Sequence, residues 1–252
     1  MDILKLYILF ALIGALVYGI CRLLRLKPVF SKIEKPKRSA LCSLIAVSVC
    51  FLIIFALMLL SYKHGPTHAP THGTGHGHHR NLLGMLLLQL ILFVPVIFML
   101  RRNGETLQSI GITRANLWKA TVVGLFLSAT TLFFGHGGPS AALKLTEGHD
   151  INTLIYFSFV GFGEEILYRG YLQSRLIAWL GHNRGWVLTS IIMALVHVPQ
   201  RLVTERMGIP HALLSSLELV PVSLLMGFVM LRTGNVVSGG LFHTFCNWAG
   251  AR

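Results

Sequence analysis

Apolar residues dominate the chain in long runs, broken by short clusters of basic, glycine and proline residues. A helix needs roughly 20 apolar residues to cross a bilayer. On that measure the pattern predicts about eight segments, near residues 3–24, 40–62, 81–100, 117–135, 151–168, 185–198, 211–231 and 235–250. The first four are clear. The last four are shorter or carry polar residues, so they are expected to face one another or a cavity, because lipid cannot satisfy those groups. The expected fold class is all-α: a polytopic integral membrane protein whose cavity is built from the C-terminal helices. Residues 1–116 form a first group of transmembrane helices, with a basic cytoplasmic loop and a His-rich external loop. Residues 117–252 form the core that carries the chemistry.

Composition agrees. Of 252 residues, 54% are hydrophobic and only 12% charged, against about 25% charged in a soluble domain. The mean hydropathy is +0.67. A net charge of +13 would otherwise raise the question of nucleic acid, but the basic residues sit in short loops rather than along a stripe with aromatics, so no nucleic-acid partner is expected. Residues 22–39, 101–119, Arg169, Arg175, Arg184 and Arg232 fall on one side if the N-terminus faces out, which makes those loops cytoplasmic and the cell (cytoplasmic) membrane the expected location. The run from Ile3 to Leu26 is too long for a signal-peptide core and reads as a retained helix. The four cysteines lie in or beside apolar runs without a CxxC pair and read as small buried hydrophobes.

The loop His64–His79, HGPTHAPTHGTGHGHH, has too much Gly and Pro for a stable helix, so its histidines do not share a ligand face. A disordered external loop is expected, with labile metal capture as the alternative. Residues 169–184 read as a continuation of the fifth helix or as an interfacial segment, with Arg175 and Arg184 in the headgroups.

Ionisable groups inside membrane helices are costly and mark function or a tight structural pair. Three places carry them. In GFGEEILYRGYL, Glu165 and Arg169 are one turn apart and form an expected i,i+4 ion pair, while Glu164 projects about 100° away and is free to take a proton. In SIIMALVHVPQ, His197 closes an apolar helix. In GGLFHTFCNW, His243 and Asn247 lie on one face, a pair of donors suited to an oxyanion. Each place alone also fits a hydrogen-bonded core contact. Together they match water-mediated amide hydrolysis: Glu164 and His197 activate water, His243 and Asn247 stabilise the oxyanion, and Arg169 with Glu165 supports the carboxylate pair. No serine or cysteine motif suggests a covalent nucleophile.

These residues resemble the CPBP family, which comprises the CAAX proteases and bacteriocin-processing membrane proteins and includes the Ras-converting enzyme. Its motifs EExxxR, FxxxH and HxxxN correspond here to Glu164–Arg169, Met193–His197 and His243–Asn247. Met193 departs from the usual phenylalanine. The resemblance covers about residues 120–250. It implies an intramembrane endopeptidase that cuts near the C-terminus of a membrane-anchored or C-terminally tailed protein, with membrane lipids as the other partner. No cofactor is expected; zinc held by Glu164, His197 and His243 is the alternative. A non-catalytic self-immunity or scaffold protein of the same fold is the alternative function. A transporter is a third reading, for which the two halves of the chain show no matching motif.

Overall fold

Proline and glycine punctuate the chain where its helices start and stop. In the computed structural model, which describes residues 3–28, 30–64, 82–134 and 151–250, every regular element among those residues is helical. Helix α1 spans Ile3–Leu23, α2 Pro36–His64 and α3 Leu82–Asn103. A 3-10 turn at Leu107–Ile110 precedes α4 (Leu117–Phe134). Helix α5 (Ile151–Glu164) runs without a break into a π-helix over Glu165–Gln173 and then α6 (Ser174–Leu180). Helices α7 (His182–Leu195), α8 (Val198–Val203), α9 (Ile209–Leu217), α10 (Val220–Thr233) and α11 (Val236–Gly250) complete the described chain. Pro199, Pro210 and Pro221 each occupy one of the first two positions of α8, α9 and α10. A proline there loses no hydrogen bond, so it opens the new helix while ending the old one. This is why the seventh apolar segment is two helices rather than one.

Among the described residues, five stretches are long and apolar enough to cross a membrane: Leu4–Leu23, Pro36–Leu60, Leu82–Asn103, His182–Val203 and Ile209–Thr233. Helices α4, α5 and α11 are shorter. The protein is a helical membrane protein turned outward toward lipid: Leu12, Leu52 and Val94 are each about 60% exposed on α1, α2 and α3. Its interior divides into two apolar clusters. One joins α2, α3, the 3-10 turn, the π-helix, α6 and α7 through Ala46, Val96, Ile110, Leu172 and Met193. The other joins α1, α4, α10 and α11 through Val17, Val123, Val229 and Phe242. Both clusters draw residues from either side of position 117.

The basic ends of the helices meet at one end of the bundle. The Asn116 carboxamide donates to the carbonyls of Lys27 and Thr233 at 2.9 and 3.2 Å. The Asn235 carboxamide donates to Thr113 and Ala115. The expected sharing of one side by the basic loops therefore has a structural counterpart. One expectation is corrected here. Arg175 does not reach the headgroups but is fully buried, donating to Glu105 Oε2 at 2.8 Å and to the Ser109 carbonyl at 2.9 Å. Burial without this carboxylate would be too costly for a guanidinium. Arg184 is exposed. The His-rich loop beyond His64 lies outside the described residues.

Candidate active site

Close approach of α11 to α5 and α4 fixes the site. A Cβ on Gly161 of α5 would stand 2.8 Å from the backbone nitrogen of Thr244, and one on Gly124 of α4 would stand 2.8 Å from the carbonyl oxygen of Ser238. Small residues permit backbone contact that no larger side chain allows, the usual way helices pack tightly in a bilayer. The result places His243 directly against the two glutamates at the junction of α5 and the π-helix.

Four side chains then form a linear array. Arg169 Nη1 is 3.6 Å from Glu165 Oε1, with both residues about 1% exposed. Glu165 Oε1 is 3.5 Å from His243 Nδ1, and His243 Nε2 is 3.8 Å from Glu164 Oε2. Arg169 is held from the far side by α10, donating through Nη2 to Ser223 Oγ at 3.1 Å. The predicted Glu165–Arg169 pair is present, and Glu164 points away from it toward the open side. Glu164 Oε2, Glu165 Oε1, His243 Nδ1 and two nitrogens of Arg169 are buried without a hydrogen-bond partner. Buried polar atoms are nearly always paired, so such a concentration marks a place built for chemistry or a bound polar species.

His197 follows α7 and stands before the first turn of α8. Its Nδ1 lies 2.8 Å from the Met193 carbonyl. A carbonyl only accepts, so Nδ1 carries the hydrogen, and in the neutral ring Nε2 is the acceptor. Met193, where the motif has phenylalanine, contributes this carbonyl and also lines the cavity.

Glu164, His197, His243 and Asn247 all open on one cavity of about 970 Å³. Glu165 and Arg169 stand behind its wall. The opposite wall is aromatic and thioether: Phe51, Phe55 and Met58 from α2, Met85 and Phe93 from α3. Further polar groups of the lining escaped the sequence reading, Gln89 and Tyr168 among them. Gln89 on α3 lays its carboxamide over the backbone of Gly163, next to Glu164. A single amide inside an otherwise apolar helix was the available signal. Tyr168 lines the cavity from the π-helix. Among the described residues, no group of three or more His, Cys, Asp or Glu side chains is arranged to hold a metal ion.

A helical bundle with a buried carboxylate–histidine array facing a cavity defines the class: a multi-helix membrane protein with an internal polar site. The family model for "Type II CAAX prenyl endopeptidase Rce1-like" proteins matches residues 150–249, which span α5 to α11. Over these residues the chain is similar to the Rce1-like CAAX proteases. No curated protein and no solved structure matches the chain.

Proposed function

We propose that this protein is an intramembrane endopeptidase in which Glu164 and His197 activate a water molecule against a peptide bond of a membrane-associated protein. One observation carries the reading: Glu164 from α5, His197 from the turn after α7, and His243 and Asn247 from α11 face one cavity. Glu164 takes a proton from the water as its oxygen attacks the carbonyl carbon. The bare Nε2 of His197 accepts the other O–H and orients the attack. The tetrahedral oxyanion receives hydrogen bonds from His243 and from the Asn247 carboxamide, one turn further along α11. Collapse breaks the C–N bond, and the proton held by Glu164 passes to the leaving nitrogen. The products are a new carboxylate and a new amine. Arg169 and Glu165 touch no reacting atom; they hold His243 from behind.

The cytoplasmic membrane and a substrate cut near its C-terminus complete the proposal. The aromatic and methionine wall across from the glutamates suits an apolar peptide segment. Purified protein in proteoliposomes should cut a lipid-anchored peptide library. Glu164→Gln should lower the rate by about 10²–10⁴-fold, the usual range for a general base, without changing thermal unfolding. Full activity of that variant would remove Glu164 from its role. The same assay after exhaustive chelation should retain its rate, and loss restored by Zn²⁺ would replace the metal-free reading.

A further inference from the structure

Helix α1 stops at Leu23, and Arg25 turns the chain away with φ of 48°, a left-handed conformation usually left to glycine. The segment that follows is strapped to the start of α4. The Asn116 carboxamide donates to the Lys27 carbonyl, and Lys119 Nζ to the Arg25 carbonyl at 3.5 Å. The same carboxamide reaches the Thr233 carbonyl at the end of α10. Beside Thr233, Arg232 lays its guanidinium 4.8 Å from the centre of the Tyr18 ring on α1. Its Nε is buried without an acceptor. Arg25, Lys27, Lys119 and Arg232 are thus gathered from three elements at one junction.

Among the described residues, none of these four cations is in an ion pair with a carboxylate. Glu105, which precedes α4, is already taken by Arg175 and Ser39. Like charges held together repel, so the junction favours an anion among them. Lys119 keeps two donors free beyond its bond to Arg25. The surroundings say which anion. Leu23 is 82% exposed in the last turn of α1, and Trp118 is 61% exposed in the first turn of α4. Further into the same helices, Leu16 and Leu125 are also exposed. Tryptophan favours the level of the headgroups. Cations at that level, with outward apolar side chains beneath them, match a phosphate head carried on acyl chains.

We propose that the junction of α1, α4 and α10 binds the phosphate of an anionic glycerophospholipid, with Arg25, Lys27, Lys119 and Arg232 around the headgroup. The site does not depend on the endopeptidase reading, since none of the four residues lines the cavity. It also differs from the general pull of basic loops toward an acidic leaflet. Lys37 and Arg38 carry equal charge in the first turn of α2, but α2 packs in the other apolar cluster, with α3, α6 and α7. A headgroup at the junction clamps α1 against α4 and α10, helices that share the second cluster.

The test is native mass spectrometry of the full chain in a neutral detergent, offered equal amounts of phosphatidylglycerol and phosphatidylcholine with the same acyl chains. Phosphatidylglycerol should be retained about tenfold over phosphatidylcholine, since each basic residue near an anionic surface contributes roughly a factor of five. Arg25→Gln combined with Lys119→Gln should bring the ratio to about one. Lys37→Gln combined with Arg38→Gln removes the same charge elsewhere and should leave the ratio unchanged. A large excess of glycerol 1-phosphate separates the two phosphate sources: the lipid should stay bound, and its displacement would make this a free-phosphate site. Equal retention of the two lipids by the parent would overturn the proposal. So would an equal loss of preference in both double variants, which would assign it to diffuse charge. The comparison of lipids in the parent needs no variant, so misfolding of one does not shield it. Lys27→Gln, on an exposed side chain, adds a milder check and should lower the ratio about fivefold.

Discussion

Arg169 and Arg175 lie on the same continuous helical run, both fully buried, each facing a glutamate, yet their surroundings differ in kind. Arg175 is saturated. It donates to Glu105 through Nε and Nη2, to the Ser109 carbonyl and to Ser174 Oγ, and its head lies 4.7 Å from the centre of the Tyr171 ring. Ser39 donates to the remaining oxygen of Glu105. Arg169 is half-satisfied: its ion pair is stretched to 3.6 Å, and two of its nitrogens have no hydrogen-bond partner. A fully connected buried network specifies structure, whereas an under-connected one holds groups ready for another partner. The first pair ties α2, the segment after α3 and α6 together; the second serves the cavity.

This contrast is open to attack. Arg175→Leu should cost most, about 3–5 kcal/mol of stability, because Glu105 is left buried without its cation. Thermal unfolding in detergent should show it, and an unchanged midpoint would demote the pair. Arg169→Met should behave oppositely. Its stability change should be smaller than that of Arg175→Leu, while kcat falls on the order of 100-fold because His243 loses its backing, the scale of a 1 Å misplacement. KM should stay near that of the parent, and a change in KM alone would make Arg169 a binding residue. The smallest effect belongs to Gly239→Ala. Its added methyl would meet the Glu165 carboxylate, so kcat should fall about tenfold through a shift smaller than 1 Å. An unaltered kcat would show that the carboxylate yields without consequence.

The sequence made legible what depends on local spacing. Glu165 and Arg169 are a turn apart, and His243 shares a face with Asn247 one turn on; both relations survive in the structure. The polar residues of the late segments led to an inward-facing site, and the cavity gathers all four expected groups. What depends on folding at a distance was not legible. Glu105 and Arg175 are 70 positions apart, and neither segment carries a local pattern that names the other. Arg175 therefore read as an amphipathic surface residue. The π-helical register of Glu165–Gln173 leaves no mark in apolar periodicity over so short a stretch. Nor does spacing reveal that His243 stands between both glutamates; the glycines that let α11 approach decide that.

The chamber has two authors. Its proposed reacting groups belong to α5, α11 and the turn after α7, while the facing surface of Phe51, Phe55, Met58, Met85 and Phe93 comes from α2 and α3, outside the stretch that the family model matches. Phe51 and Phe55 stack in parallel, and the methionines beside them are pliable. Under the endopeptidase reading, descendants of such a chain are free to change clientele by drift along that facing surface, with the groups proposed for cutting inherited untouched.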